Sequence, residues 1–507
     1  MTKPSISLCM IVKNEEKFLG QCLESVKNVV DEMIIVDTGS TDRTVEIAEN
    51  FGAKVYHHAW RNDFSEARNY GLQFATGDWI LQLDADEALE SDDIELVRAA
   101  VKSDQYSAVY VAIYSTISGK PSKHYFPRIF RRGKAHFHGI VHNQLIVDGT
   151  LLHSEIRVYH YGYDLSREEM LAKYERSEKL LLRQIEADPD DLFAWHNLIR
   201  IHRNQFKYDQ ALEESERVLH RLGSQKDRPA YLEILYDAAD CAGILGDFKR
   251  AEQFCLAALE IKPDYIDAIY VLGSVYKARG DYFKALKKYS IFLNMLEKMN
   301  ERPDIENVKL CTFGNKVPAL QNMAACFMNL NKKEKAIEYL EESLRFDPDS
   351  VITQLSLARL YFETEKMKPA LDRYERVFAN EPGNLEALQG IIHVRLALGN
   401  SADHHVLTLL KNARTAPDVL RTVADMCARY RDFTNAARLY TAYMQSRPND
   451  LDALQNLCVC YSELGHYRAA IAGYKVLIEN DPFNAVVLKN INLIKRKMQQ
   501  APTSIAS

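Results

Sequence analysis

Two kinds of hydrophobic pattern divide the chain, with the change near residue 165. From residue 5 to about 160, short apolar runs alternate with segments in which apolar residues recur every three or four positions. The first pattern predicts buried strands, and the second predicts amphipathic helices. The predicted strands include SISLCMIV, EMIIVD, AKVYHHAW and WILQL, and the predicted helices include NEEKFLGQCLESVKNVV, TGSTDRTVEIAENFG and DFSEARNYGLQFATG. Strands that alternate with helices predict an α/β domain with a mostly parallel sheet covered by helices.

Residues that favour helix ends support this division. Asp63 and Glu66 have the spacing of a capping box, so we expect a helix to begin after Asp63. Gly52 and Gly77 follow two of the predicted helices, where glycine commonly ends a helix.

After residue 165 the strand signals vanish, and a unit of about 34 residues recurs. The same position of the unit holds alanine seven times, at Ala211, Ala251, Ala285, Ala336, Ala370, Ala436 and Ala470. Four residues later comes Tyr289, Tyr374, Tyr440 or Tyr474, and twelve later comes Pro263, Pro348, Pro382, Pro448 or Pro482. Small residues where two helices meet, an aromatic residue between units and a proline after the second helix resemble the tetratricopeptide repeat.

These patterns predict four regions. Residues 1–165 form the α/β domain, and residues 166–190 form a connecting helix. Residues 191–484 form about eight repeats, of which the unit at 385–415 is degenerate, with His404 where alanine is expected. Residues 485–507 form a cap helix with a polar outer face and a tail, since a terminal repeat needs a solvated face.

Composition narrows the class of protein. The net charge of −6 and the pI of about 6.2 give no basic field for nucleic acid, so we expect no nucleic-acid partner. Nine cysteines without a C-x-x-C pair predict buried free thiols in a reducing compartment. No signal peptide and no transmembrane segment is evident, so we expect a cytoplasmic protein.

One pair of aspartates stands out from the rest. The sequence holds four D-x-D motifs, and three of them lie at repeat junctions beside a proline, where aspartates cap helices: Asp188/Asp190, Asp347/Asp349 and Asp450/Asp452. Asp84 and Asp86 instead follow an apolar strand of the α/β domain. Side chains two residues apart share a face, so both carboxylates could face one cation at the carboxyl end of the strand. Hard divalent ions prefer such oxygen ligands.

Two further features complete the pattern around Asp84: Asp37 ends the strand EMIIVD, and Arg68 and Asn69 precede the Asp84 strand. This pattern resembles the inverting family 2 glycosyltransferases of GT-A fold. The resemblance implies that Asp37 contacts the nucleotide. It implies that Arg68, Asp84 and Asp86 bind the sugar nucleotide, with Asp86 on Mn²⁺ or Mg²⁺. A turn-capping role for Asp37 before TGST is the local alternative.

Further segments, NDFSEARN, PRIFRRGKAHFHGIVHN and VYHYGY, are similar to a subgroup of that family that contains lipopolysaccharide-core glucosyltransferases and sublancin-type peptide S-glycosyltransferases. This resemblance makes His160 a second ligand to the metal or the diphosphate, and UDP the expected nucleotide. It also makes Arg128, Arg131 and Arg132 contacts to phosphate or acceptor, with a solvated basic loop as the alternative.

The sequence departs from the subgroup at one position. The subgroup has V-H-E, in which the glutamate resembles the general base, whereas this chain has Val141, His142 and Asn143. An asparagine cannot accept a proton, and a base contributes roughly 10² to 10⁴ in rate. His142 is the nearest replacement. A cysteine acceptor, with a pKa of about 8.5, would depend less on that base.

Three alternatives remain open. His136, His138 and His142 could instead hold zinc. The domain could have lost its chemistry and serve as a repeat scaffold, for which Asn143 is the best argument. Among enzymes, the repeats favour a protein or peptide acceptor over a polysaccharide or lipopolysaccharide-core one, because a concave array suits an extended peptide.

Overall fold

The computed structural model of the protein describes residues 3–117, 120–141, 143–162, 167–226, 228–301, 312, 314–412 and 416–500. The chain divides into two compact units, of which the first runs to Ala268 and the second begins at Ile269. The first unit holds the α/β domain and the beginning of the helical region. The predicted domain boundary at residue 165 therefore lies inside this unit and stays a prediction.

The α/β domain contains a large and a small sheet. The strands are β1 (Ile6–Val12), β2 (Glu32–Asp37), β3 (Lys54–His57), β4 (Trp79–Gln82), β5 (Glu87–Leu89), β6 (Ala108–Ile117), β7 (Lys120–Arg131), β8 (Ala135–His138), β9 (Gln144–Val147) and β10 (Leu151–His160). The helices are α1 (Leu19–Val26), α2 (Thr44–Asn50), α3 (Phe64–Leu72) and α4 (Ile94–Ala100). This architecture confirms the predicted α/β class.

The large sheet has the order β3-β2-β1-β4-β7-β6-β10-β5. Its first four strands are parallel, with Val12 opposite Asp37 and Cys9 opposite Gln82. The other half is mixed, since β7 runs antiparallel to both β4 and β6, and β5 runs antiparallel to β10. The expectation of a mostly parallel sheet therefore holds only for the first half, because β6 pairs directly with the next strand, β7, in antiparallel orientation.

The core explains the apolar runs of the sequence. Residues of β1, β2 and β4 are almost fully buried, as expected for strands covered on both faces. Gly52, with φ of 77°, ends α2 as predicted. Gly77 has a different role, since α3 already ends at Leu72 and a Cβ at Gly77 would lie 2.7 Å from the Ser7 hydroxyl. This glycine allows two backbone segments to approach.

In the residues that the structure describes after the α/β domain, the regular elements are all helices. A connecting helix, α5 (Arg167–Ala187), precedes eight consecutive helix pairs in the part of the chain that is described. The pairs are α6 (Leu192–Asn204) and α7 (Tyr208–Arg221), α8 (Pro229–Ile244) and α9 (Phe248–Ile261), α10 (Ile266–Ala278) and α11 (Tyr282–Glu301), α12 (Lys316–Asn329) and α13 (Lys333–Phe346), α14 (Val351–Glu363) and α15 (Met367–Asn380), α16 (Leu385–Ala397) and α17 (Asp403–Asn412), α18 (Pro417–Arg429) and α19 (Phe433–Ser446), and α20 (Leu451–Glu463) and α21 (Tyr467–Asn480). The last helix is α22 (Ala485–Gln500).

The recurrent residues of the repeat have the packing roles that their chemistry predicts. All seven recurrent alanines are 0% exposed, so each lies where the two helices of a pair approach closely. The four recurrent tyrosines are at most 6% exposed. A Cβ at Gly390 would lie 2.4 Å from the ring of Tyr374, so this tyrosine fills the space that the glycine leaves. The five prolines each come two residues after a helix ends.

The degenerate unit departs from this pattern in a specific way. Its second helix, α17, is only 10 residues long and begins at Asp403. His404 is exposed, whereas Ala402, just before the helix, is 0% exposed and packs in the core cluster of that region. The small buried residue is therefore present but shifted by two positions.

The helix-capping role predicted for the aspartates at the repeat junctions is seen at one junction and not at another. The Asp450 side chain caps α20 by accepting the backbone N–H of Ala453, whereas at the junction before α14 the cap residue is Ser350.

Every described cysteine is buried and free of a disulfide. Within the described part of the chain, no helix is both long enough and apolar enough to cross a bilayer.

A buried histidine joins α5 to the first helix pair and should make stability depend on pH. His202 is 1% exposed, and its ring nitrogens lie 2.7 Å from Glu214 and 3.4 Å from Glu178. Burial lowers the pKa of His202, but the two carboxylates outweigh it and raise that pKa above 6.5. The stabilisation is therefore complete below the unfolded-state pKa of about 6.5 and is lost as the pH rises through the folded-state pKa.

We therefore expect His202→Gln to lower the melting temperature more at about pH 6 than at about pH 9. Thermal melts of both proteins followed by circular dichroism check this. A melting-temperature difference that does not change with pH would contradict the ion-pair role.

Candidate active site

The loops that follow β1, β2 and β4 lie at one edge of the sheet, because parallel strands end at the same edge. Asn14, with φ of 57°, connects the first two loops. Its side chain accepts the backbone N–H of Thr41 at 2.8 Å, and its own backbone N–H donates to the Ser40 hydroxyl at 2.9 Å. At this edge, hydrogen bonds therefore fix the loop after β1 relative to the loop after β2.

Asp84 lies between two guanidinium groups at this edge. Its carboxylate accepts from Arg68 Nη2 at 2.6 Å and from Arg128 Nη2 at 3.3 Å. Burial would raise the pKa of Asp84, but the positive charges of Arg68 and Arg128 hold it well below the usual range. Asp84 is therefore an anion, and most of its charge is already balanced by the protein itself.

Arg128 also binds a second carboxylate. Glu87, whose side chain is 1% exposed, accepts from Arg128 Nη2 at 2.5 Å, and Arg128 further contacts the Gln82 side chain. Burial raises the pKa of Glu87 to about 7, against the opposing effect of Arg128. Arg128 thus links the end of β4 to β5 through Gln82 and Glu87.

Asp86 makes a different contact. Its Oδ2 lies 3.3 Å from His160 Nε2, and its backbone oxygen accepts the Tyr161 N–H at 2.9 Å. Burial raises the pKa of Asp86 and lowers the pKa of His160. Because burial disfavours both charged forms, the pair is suited to a neutral imidazole beside a carboxylate that a cation can stabilise.

The Asp86 and His160 side chains fit the divalent ion that the sequence implied. Mg²⁺ and Mn²⁺ commonly take one or two protein ligands and complete their coordination with phosphate oxygens and water. A carboxylate oxygen and an imidazole nitrogen that face each other at 3.3 Å supply such a partial set. Among the described residues, no group of three or more His, Cys, Asp or Glu side chains could hold a metal ion, so the substrate would have to complete it.

Gly162 should be essential to this arrangement. A Cβ at this position would lie 1.8 Å from Asp86 Oδ2, so any side chain would displace the carboxylate. We expect Gly162→Ala to weaken Mn²⁺ and UDP binding while leaving the helical content unchanged. Calorimetric titration and circular dichroism measure the two quantities. Gly223→Ala is the matched control, because nothing lies within 4 Å of its added Cβ; equal binding by both variants would contradict the role of Gly162.

Asp37 ends β2 at the same edge and is 4% exposed. Its carboxylate accepts the backbone N–H groups of Gly39 at 3.2 Å and Ser40 at 3.1 Å, and it lies 3.2 Å from His57 Nδ1. Burial raises the pKa of Asp37, but the hydrogen bonds from Ser40, Gly39 and His57 lower it. The turn-capping geometry is therefore present, and contact with a nucleotide stays a prediction.

Two of the predicted arginines lie elsewhere. Arg131 pairs with Trp79 at the opposite end of β4, where its guanidinium donates to the backbone oxygens of Tyr106 and Ser103. Arg132 donates to the backbone oxygen of Gly77 at 2.8 Å. The expectation that these two contact phosphate or acceptor is thus corrected, because β7 runs antiparallel to β4 and only Arg128 reaches the carboxyl end.

The position of the family's base is only partly described. His142 lies outside the described residues. Asn143 is half-buried, and within the described structure its Nδ2 has no hydrogen-bond partner. The adjoining segment is held by two contacts: the Ser65 hydroxyl donates to the Gly139 oxygen, and the Ile140 N–H donates to Gln184 of α5. His136 and His138 are exposed on β8, and no zinc ligand set forms among the described residues.

The sequence reasoning missed several residues of the site. Glu15 follows β1, and burial together with the charges of Asp86 and Asp84 raises the pKa of Glu15 to about 7. Its place just beyond a strand of the parallel half was a usable signal. Lys173 of α5 interacts electrostatically with Asp86 and His160, but nothing in the sequence connects it to them.

Comparisons with known proteins agree with this geometry. Residues 7–154 match the family described as Glycosyl transferase family 2, and residues 196–266, 317–350 and 429–489 match tetratricopeptide-repeat families. The SPbeta prophage-derived glycosyltransferase SunS of Bacillus subtilis is 30% identical over 200 residues, which are 37% of this chain and 47% of that protein. An uncharacterized glycosyltransferase of Rickettsia felis is 40% identical over 111 residues, which are 21% of this chain and 39% of that protein.

The chain thus spans less than half the length of these two relatives. A TPR repeat-containing protein of Synechococcus elongatus is 34% identical over 298 residues, which are 54% of this chain and 72% of that protein. The chain therefore belongs to the family of that TPR repeat-containing protein, and it joins a family 2 glycosyltransferase domain to tetratricopeptide repeats.

Proposed function

We propose that the protein is a metal-dependent, inverting glycosyltransferase that moves a sugar from a nucleotide-sugar donor, a UDP-sugar, to a protein or peptide acceptor. The observation that carries the proposal is the convergence of three chain segments on one sheet edge. Arg68 of α3 contacts Asp84, after β4, at 2.6 Å. His160, at the end of β10, lies 3.3 Å from Asp86 in the same loop after β4. A purely structural ion pair would need only Arg68 and Asp84.

Asp86 and His160 would hold Mn²⁺ or Mg²⁺. When bound, the ion supplies positive charge against the charge that grows on the departing diphosphate. Asp84 is less suited to be a direct ligand, because Arg68 and Arg128 already occupy its carboxylate. Its role is to orient Arg68, whose Nε and Nη1 are buried and lack hydrogen-bond partners in the described structure. Those two nitrogens are suited to an oxygen of the donor phosphate.

Deprotonation of the acceptor distinguishes this chain from the subgroup that it resembles. Asn143 can orient an acceptor atom, but it cannot take its proton. An acceptor that ionises easily, such as a cysteine thiol with a pKa of about 8.5, is therefore favoured over a hydroxyl. His142 is the remaining candidate for the base, and a His142→Ala variant with full turnover at saturating donor would exclude it.

The repeats support a protein or peptide acceptor. They supply extended helical surface, and a bound acceptor would be tethered to the catalytic domain, which raises its effective concentration there. Polysaccharide or lipopolysaccharide-core synthesis is the alternative for the acceptor.

The test is incubation of the purified protein with UDP-sugars, Mn²⁺ and host lysate, followed by intact-protein mass spectrometry. A mass increase of one hexose or N-acetylhexosamine on a polypeptide would support the proposal. Release of UDP that yields only a glycosylated saccharide or lipid would support the alternative acceptor. No UDP release with any donor would favour a non-catalytic scaffold, for which Asn143 is the specific observation.

A further inference from the structure

An open surface cavity of about 530 Å³, with both polar and apolar lining groups, lies beside the candidate active site. We call it the edge cavity, because the edge strand β5 of the large sheet contributes to its wall. Its lining includes Gln21 and Glu24 of α1, Asn28 just after that helix, Glu90 just after β5, and Tyr159 and Tyr161 at the end of β10. Its volume falls within the range of about 300 to 1,000 Å³ of small-molecule sites.

The charges of the edge cavity argue against an ionic ligand. No lysine or arginine is among the described residues that line it, so a phosphate or nucleotide would find no cation there. Its two carboxylates, Glu24 and Glu90, each lie near a cation that is not part of the lining. Lys27 pairs with Glu24, and Arg157 Nη1 lies 4.0 Å from Glu90. A cationic ligand would therefore compete with existing ion pairs, and a neutral ligand is favoured.

The remaining lining groups suit a ligand that is rich in hydroxyl groups. Gln21 and Asn28 are exposed and offer amide donors and acceptors. Tyr161 is 44% exposed, and Tyr159 is half-buried. Each tyrosine combines an apolar ring face with a hydroxyl group. Saccharides present the same combination, since a sugar ring has hydroxyl groups around its rim and C–H groups on its face.

The position of the edge cavity connects it to the site. Asp86 directly precedes β5, and Tyr161 directly follows His160. The Tyr161 N–H donates to the Asp86 backbone oxygen at 2.9 Å, so one wall of the edge cavity is continuous with the segment that positions the Asp86 and His160 pair. We infer that the edge cavity binds one or two residues of a neutral saccharide, at a site separate from that of the nucleotide-sugar donor.

Saturation-transfer-difference NMR on the whole 507-residue chain tests this inference. The probes are four neutral disaccharides, namely maltose, lactose, mannobiose and N,N′-diacetylchitobiose, with glucuronic acid and glucosamine as charged comparisons. We expect at least one disaccharide to bind, and to bind more tightly than either charged sugar. Its signal should persist when UDP and Mn²⁺ are added, which separates the edge cavity from the donor site and keeps the result independent of transfer activity.

Variants then locate the signal. Tyr161→Ala and Gln21→Ala should each weaken binding about three- to tenfold, because each removes one polar contact or ring face. Tyr430→Ala is the matched control, since Tyr430 is a similarly exposed tyrosine just after α18, with 38% exposure, and this variant should bind as the unaltered protein does. Absence of binding by all four disaccharides, unchanged binding by both cavity variants, displacement by UDP, or preference for a charged sugar would each overturn the inference.

Discussion

Replacement of Asp86 by asparagine is expected to lower donor turnover about 10²-fold or more, because it removes the negative charge that would hold the proposed divalent ion. The exchange keeps the shape of the side chain, so the fold should persist. Unlike Asp84, Asp86 contacts no arginine among the described residues, so replacing the Asp86 carboxylate should not leave a buried guanidinium without its partner. The measurement is UDP release at several Mn²⁺ concentrations, with Mn²⁺ affinity determined separately.

The sequence itself supplies the control for this prediction. Asp452 is the second aspartate of a D-x-D motif at a repeat junction, and it is exposed. Asp452→Asn should leave both turnover and Mn²⁺ affinity unchanged. If Asp86→Asn behaved like Asp452→Asn, the assignment of the ion to Asp86 and His160 would be wrong, whatever the function of the domain.

The residues of the parallel half of the sheet could be placed from sequence because their signals are local. A buried strand followed by a capped helix has a recognisable period, and the strand end fixes the edge at which Asp37 and Asp84 lie. The recurrent alanines and prolines are also local signals. Each alanine lies where the two helices of a pair approach closely, and each proline follows the end of a helix.

The rest of the site depends on contacts between distant segments. Arg128, Arg131 and Arg132 are alike in local sequence, and only the antiparallel pairing of β7 with β4 separates the first from the other two. Glu87 follows the D-x-D motif and carries no sign that it would be buried. The contact between Asp86 and His160 joins residues 74 positions apart, and Gly162 shows its purpose only against the Asp86 carboxylate.

Replacement of Arg128 by methionine is expected to destabilise the protein by about 3 to 5 kcal/mol, because it leaves the buried carboxylate of Glu87 without its cation. The double variant Arg128→Met with Glu87→Gln should recover part of the loss, since neither a buried charge nor its partner then remains. A coupling of about 1 to 3 kcal/mol is expected in the double-mutant cycle. Urea denaturation followed by circular dichroism gives the free energies of unfolding from which this coupling is calculated.

The pH gives a second readout of the same pair. The folded-state pKa of Glu87 is about 7, above its usual value, and loss of Arg128 would raise it further. Because protonated Glu87 needs no cation, the deficit of Arg128→Met should narrow as the pH is lowered, whereas the double variant should keep a constant difference. Arg43→Met, which breaks the exposed pair with Glu46, should change little at any pH. A single Arg128→Met variant as stable as the unaltered protein would show that Glu87 is solvated or protonated without help, and that Arg128 is available to a substrate instead.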